Sequence, residues 1–176
     1  MLSADVDRHA TADAGRLGDL YLRHADDAVR LAYLLTGDRA LAEDLAQDAF
    51  VKLAGRLVHL RDPGAFDAYL RRTVVNLSRS HFRRKKVERA YVERAGRAAR
   101  AQVGAGSDRP IEDREELWRA LGRLSQRQRA AIVLRFYEDL SEQRVAELLR
   151  CRPGTVKSLV SRGLETLRSE IRGEDR

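Results

Sequence analysis

Lys157, Ser158, Ser161 and Arg162 are the residues whose types and spacing most clearly define a chemistry. Positions i, i+1, i+4 and i+5 lie on one side of a helix. An ammonium and a guanidinium donate to phosphate oxygens and to the major-groove edge of guanine, and hydroxyls reach either kind of acceptor. Such a stripe suits duplex nucleic acid. It needs a helix to carry it and an apolar back to seat that helix, and Val156, Val160, Gly163, Leu164, Leu167 and Ile171 supply the back. Pro153 fits the first helical position, where its missing N–H is an orphan in any case. Just upstream, Ser141 caps a shorter helix, Glu142 sits where the helix dipole favours it, and Val145, Leu148 and Leu149 form a buried stripe. Cys-Arg-Pro-Gly joins the two helices, and Gly154 lets the turn pack closely. This is a helix-turn-helix, whose second helix lies in the DNA major groove. An ordinary helical hairpin with a solvated charged face remains open on this segment alone.

A second constellation lies upstream, in a segment with helical periodicity from about Ala65 to Lys86. Aromatic and hydroxyl groups interleave there with Arg71, Arg72, Arg79, Arg83, Arg84, Lys85 and Lys86. Basic groups hold a phosphate backbone in a salt-dependent way, and aromatic rings stack on unpaired bases. Asn76 interrupts an otherwise apolar stretch; its amide suits a base edge, or else a structural hydrogen bond to a neighbouring helix. The surface suits single-stranded or opened DNA. Charge distribution agrees. The chain of 176 residues carries 34 Lys and Arg against 27 Asp and Glu, and residues 58–109 hold 13 of the basic groups against 5 acidic ones. The excess therefore lies in the middle of the chain, outside the helix-turn-helix, and the pI of about 10.0 points to an anionic partner. A solvated basic helix or basic linker is the alternative.

A third stripe has the opposite sign. Asp44, Gln47, Asp48 and Val51 share one side of a helix that follows Asp38. It repels DNA, so it is either a docking face for a basic protein or a solvated helix start. No catalytic or metal chemistry is indicated. Cys151 is the single cysteine, read as a small hydrophobe in the turn, and His9, His24, His59 and His81 lack metal-ligand spacing. No cofactor is expected. Absence of a long apolar run and of an apolar leader predicts a soluble, cytoplasmic protein that does not engage membranes.

The elements that position these stripes follow from periodicity. Residues 1–15 are polar and are expected to be disordered. A helix over 16–36 carries Leu17, Leu20, Tyr21, Ala28, Leu31, Ala32 and Leu35, and Gly37 and Asp38 break it. The next runs to about Leu57 on Ala42, Leu45, Ala46, Ala49, Phe50 and Leu53. After a turn at 62–64, the third buries Phe66, Tyr69, Leu70, Thr73, Val74, Leu77 and His81. Gly96, Gly104, Gly106 and Pro110 mark a linker. Leu117, Leu121 and Leu124 share one later helix, and residues 127–137 form another before the helix-turn-helix. The expected fold is all-α: two small helical bundles joined by a flexible linker, the second containing the helix-turn-helix.

Ala-Glu-Asp-Leu-Ala-Gln-Asp-Ala-Phe, the Val-Val-Asn-Leu-Ser-Arg-Ser helix with its basic tail, and Glu-Asp-Leu-Ser-Glu-Gln-Arg-Val-Ala-Glu-Leu-Leu with Gly-Thr-Val-Lys-Ser occur in an order that resembles the bacterial extracytoplasmic-function (ECF) sigma factors. Ala-Tyr-Leu-Leu-Thr-Gly-Asp is similar to an actinobacterial subgroup, and the likeness covers about residues 16–172. It implies a non-enzymatic transcription initiation factor that binds core RNA polymerase and directs it to promoters. Residues 16–90 would be region two, 91–111 the linker and 112–173 region four. Asp44, Gln47, Asp48, Phe50 and Leu53 match the helix that docks the clamp of the polymerase largest subunit, and the beta flap is implied as a second contact. Asn76, Arg79, Ser80, Arg83 and Arg84 match the region that captures the opened −10 element. Arg152, Thr155, Lys157, Ser158, Ser161 and Arg162 match the reader of the duplex −35 element. An anti-sigma factor is a further partner known in the family. Ala54 replaces a frequent aromatic, and Leu159 and Leu164 replace frequent basic residues, which leaves fewer phosphate contacts. The rival reading, a stand-alone helix-turn-helix regulator, requires a receiver or ligand domain that the first 90 residues do not suggest.

Overall fold

A computed structural model describes the backbone of residues 3–55, 65–94 and 112–173, and the side-chain environments of 17–55, 65–91 and 117–170. The described residues are helical and contain no strand, and they fall into two compact units, residues 1–101 and 102–176. The expected turn at 62–64 and the linker at 96–110 lie outside the described residues.

The first unit holds α1 (Ser3–Thr36), α2 (Arg39–Ala54) and α3 (Phe66–Arg94), each packed against the other two. The backbone of α1 is already helical well before Arg16, where the apolar pattern starts. Local chemistry ends it sharply. The Thr36 hydroxyl donates to the Ala32 carbonyl at 2.8 Å, and Gly37 takes a φ of 74°, a left-handed turn that costs glycine nothing. Asp38 then caps α2, its carboxylate accepting from the Leu41 N–H at 3.1 Å. Small buried residues, Ala42, Ala46 and Ala49, let α2 pack tightly. Phe50 and Phe66 meet at a centroid distance of 6.0 Å, and Tyr21 stands edge-on to Phe50 at 4.9 Å. Burying a side chain such as Phe66 contributes about 2–3 kcal/mol.

Two sequence expectations for α3 change. Tyr69, expected inward, is half exposed, and Val75 is buried in its stead, because α1 and α2 together cover a wider sector of α3 than one narrow stripe. The helix also runs past Lys86 to Arg94, and its residues 83–91 are exposed.

The second unit holds α4 (Glu112–Arg123), α5 (Gln126–Ile132), α6 (Glu142–Leu149) and α7 (Pro153–Gly173). Ser125 starts α5 with a reciprocal capping box: it receives the Gln128 N–H, and its own N–H donates to the Gln128 side chain at 2.9 Å. The expected straight helix to Tyr137 instead widens into a π-helical turn over Val133–Tyr137. Val133 and Leu134 stay buried in that turn, while Phe136 and Tyr137 emerge at the surface. On α4, Leu121 is buried and Leu124 joins the core just past the helix end, but Leu117 is half exposed. Trp118, one residue on, packs against the core instead.

Between α6 and α7 the turn matches its reading. Ser141 caps α6 by accepting the Arg144 N–H, and Arg150 closes it in the left-handed region at φ 50°. Val145 on α6 and Val156 on α7 are fully buried, and the two helices pack on each other. Cys151 is a free, partly buried thiol in the turn, and its N–H donates to the Ala146 carbonyl.

Candidate nucleic-acid interface

On α7 the structure separates the two faces that periodicity assigned. Val156 and Gly163 are buried, and Leu164 and Leu167 pack on the core formed by Leu121, Leu124 and Ile132. Lys157, Ser158, Ser161 and Arg162 are exposed together on the other side. At Gly163 α7 packs closely on α5: a Cβ there would stand 2.6 Å from Ile132 Cδ1. Arg152, at the mouth of the turn, is exposed; Thr155 is partly buried, and its N–H donates to the Arg152 carbonyl. Ser158 donates its hydroxyl proton to the Gly154 carbonyl at 3.0 Å, leaving its oxygen as an acceptor. Leu159, in the place of a basic residue, is half-buried. The arrangement offers cations and hydroxyls to a duplex groove on a helix whose back is fixed.

On α3 one side of the helix brings together Tyr69, Asn76, Ser80 and Arg83, spaced i, i+7, i+11 and i+14, with Tyr69 and Arg83 exposed and Asn76 and Ser80 partly buried. Arg79 and Arg84 flank this line. Asn76 is partly buried, and among the described residues its amide has no hydrogen-bond partner. Its polar atoms are thus available to a ligand. Arg71 points away from this role, bound to Asp67 at 2.8 Å. Sequence reasoning missed Tyr69, although its separation from Asn76 by seven residues, two helical turns, was a usable signal. His81 sits behind the line with its pKa lowered, first by burial and then by Lys85 and Arg84, against weaker opposition from Asp38 and Glu88.

The acidic stripe of α2 needs a correction. Asp44, Gln47 and Asp48 are exposed as expected, but Phe50 and Leu53 are buried at 4% and 2% exposure. Both lie about 100° or more around the helix from Asp48, in the sector that α1 and α3 cover, so their role is to seat the stripe, with Phe50 also lining the groove beside it. The apolar group that accompanies the carboxylates is Val51, 67% exposed. A groove beside it, between α1 and α2, is lined by Tyr21, Val29, Asp44, Gln47 and Phe50. Tyr21, half exposed, joins Tyr69 and Leu117 among the residues that periodicity alone placed in the core.

Comparison with known proteins matches both units. Residues 20–88 match the family described as Sigma-70 region 2, and residues 114–167 match Sigma-70, region 4. The RNA polymerase sigma-E factor of Streptomyces avermitilis is 35% identical over 156 residues, covering 88% of this chain and 85% of that protein. The ECF RNA polymerase sigma factor SigE of Mycolicibacterium smegmatis is 34% identical over 166 residues, 87% of this chain and 60% of that one. Among solved structures, the sigma factor RpoE of Bartonella quintana, crystallised with the anti-sigma factor NepR, aligns with a TM-score of 0.68 at 25% identity, covering 88% of this chain and 96% of that chain. No helix among the described residues is long and apolar enough to cross a membrane. With a region-two and a region-four unit in the expected order and a relative matched over most of both lengths, the chain belongs to the ECF RNA polymerase sigma factors, the initiation factors that direct polymerase to promoters.

Proposed function

We propose that residues 16–90 act as the region-two module, 91–111 as the connecting linker and 112–173 as the region-four module. The observation that carries the assignment is the exposed stripe Lys157–Ser158–Ser161–Arg162 on a helix whose opposite face is buried. That helix reads the −35 duplex, with Arg152 and Thr155 at its entrance. The line on α3, Asn76, Ser80 and Arg83 with Arg79 and Arg84 beside it, holds the opened −10 strand, and Tyr69 offers a ring on which a base can stack. Asp44, Gln47 and Asp48, with Val51 and Tyr21, receive a basic coiled coil of the polymerase clamp, and the second unit meets the beta flap. The protein contributes binding energy and no catalysis, and it works in the cytoplasm, where polymerase is. An anti-sigma factor, the kind of partner held by its Bartonella relative, is a further ligand of these faces.

Division of labour follows from energetics. Flipping a base out of the stack costs a few kcal/mol, which the polymerase scaffold offsets by holding both units on one promoter. The free chain therefore binds promoters weakly, and holoenzyme binds and opens them. Transcription by core enzyme from a randomised promoter library, with and without the chain, tests this: the expected outcome is a chain-dependent set of start sites preceded by two spaced elements. Lys157→Ala or Arg162→Ala should cost about 1–3 kcal/mol of promoter binding if the contact is to a base edge, and less if it is to phosphate. A chain that neither associates with core enzyme nor shifts its start sites refutes the reading.

A further inference from the structure

Lys157 differs from the other cations on the reading side of the helix-turn-helix. Its ammonium lies 3.7 Å from the Glu142 carboxylate, across the gap between the first turn of α6 and the first turn of α7. Among the described residues, Arg152 and Arg162 have no ion-pair partner. Glu142 is less exposed than Lys157, 39% against 70% for the side chains, and stands at a helix N-terminus, where the dipole holds a carboxylate. The first helix of a helix-turn-helix crosses the DNA backbone, so this carboxylate approaches phosphates whenever α7 enters a groove.

We infer that Glu142 is a positioning and specificity-determining residue: it holds Lys157 over the groove and penalises duplexes that offer that lysine only phosphate. This rests on the −35 reading of α7. A lysine is a compact charge on a flexible stem, and by itself it is satisfied by any phosphate. Paired with Glu142 it brings no net charge, so a phosphate gains little from it and meets the repulsion of the carboxylate. A guanine edge asks less of net charge and more of a donor at a fixed place, which the pair provides. Discrimination thus comes partly from a built-in repulsive element. The pair is exposed to water, which limits its effect to about two- to fivefold.

The experiment uses holoenzyme assembled with the full chain and two probes: the −35 duplex recovered from the randomised library, and a scrambled duplex of the same composition. Wild type, Glu142→Gln, Lys157→Ala and the double variant are compared across a salt series. Glu142→Gln is expected to tighten binding to the scrambled duplex about two- to fivefold and to lower the ratio of specific to scrambled affinity. It should also steepen the salt dependence on the scrambled duplex by about 0.9 in log–log slope, as Lys157 takes up a phosphate. In the Lys157→Ala background the same change should leave the ratio unmoved. A partly misfolded variant loses both affinities equally, so the ratio reports positioning rather than folding. An unchanged ratio in Glu142→Gln, or an equal effect with and without Lys157, overturns the inference. If Lys157→Ala leaves promoter selection intact, the −35 reading falls and the role of Glu142 falls with it; if only Glu142→Gln is silent, the −35 reading stands alone.

Discussion

On the proposed −10 reading, side chains on α3 would divide the labour of strand opening into stacking and hydrogen bonding. Tyr69 and Asn76 lie two turns apart on one side of the helix, the first half exposed and the second partly buried, and neither belongs to the core. Tyr69→Ala and Asn76→Ala in holoenzyme should therefore reduce permanganate reactivity of the melted strand by about tenfold each, equivalent to one stacking or base-edge contact, while −35 duplex binding stays unchanged. Tyr69→Phe should keep most of the opening, because the ring and not the hydroxyl makes the stack. His81, behind them, makes a different prediction. Its folded pKa is depressed below the usual 6.5 by burial and by Lys85 and Arg84. On acidification the unfolded chain takes up this proton first. Stability from His81 is therefore fully present above pH 6.5, falls as pH drops through the interval below it, and levels off once the folded form is also protonated. Urea unfolding of His81→Asn at about pH 8 and about pH 5.5 should show a smaller loss on acidification than wild type, and the ring titration of His81 should have its midpoint below 6.5.

At the scale of elements, Gly163 marks a close approach of α7 to α5. Alanine at 163 would gain about 1 kcal/mol of helix propensity over glycine, yet its Cβ would meet Ile132 Cδ1 at 2.6 Å and Gln128 Cβ at 3.4 Å. Overpacking a core contact costs about 1–3 kcal/mol, but Cδ1 is the free end of the Ile132 side chain and can turn aside, so the cost falls at the low end and about offsets the propensity. Gly163→Ala should therefore change the stability of the second unit by less than about 1 kcal/mol in a denaturant titration. Ile132→Val removes the methyl that is struck, and the double variant should be more stable than the two single changes sum to; additive effects would show that the contact does not oppose the propensity. The π turn that follows α5 has a consequence at this scale too. It lets Val133 and Leu134 stay in the core while Phe136 and Tyr137 reach the surface, which a uniform α-helix of the same residues would place differently.

For the whole molecule, function follows from two independently cored units in one chain. Each buries its own apolar residues and exposes its own polar stripe. On the proposed reading, the binding energies of the two stripes would add when polymerase holds both units at fixed spacing, and loss of either stripe should weaken promoter selection without unfolding the other unit.

Much of this was legible in the residues. The all-α fold, the helix-turn-helix and the polar face of α7 follow from apolar spacing, because a helix fixes the angle between successive side chains wherever it packs. The short caps at Asp38, Ser125 and Ser141 are local as well, each satisfied within three residues. What periodicity could not supply is how wide a sector of each helix its neighbours cover. Packing by two helices buries Val75 and leaves Tyr21 and Tyr69 at the surface, although all three fit a helical pattern. Nor does spacing along the chain bring Glu142 to Lys157, fifteen positions apart: the turn between α6 and α7 and the packing of the two helices do. Sequence set the angles within each helix, and tertiary contacts decided which of those angles face water, because burial depends on neighbours that are distant in the chain.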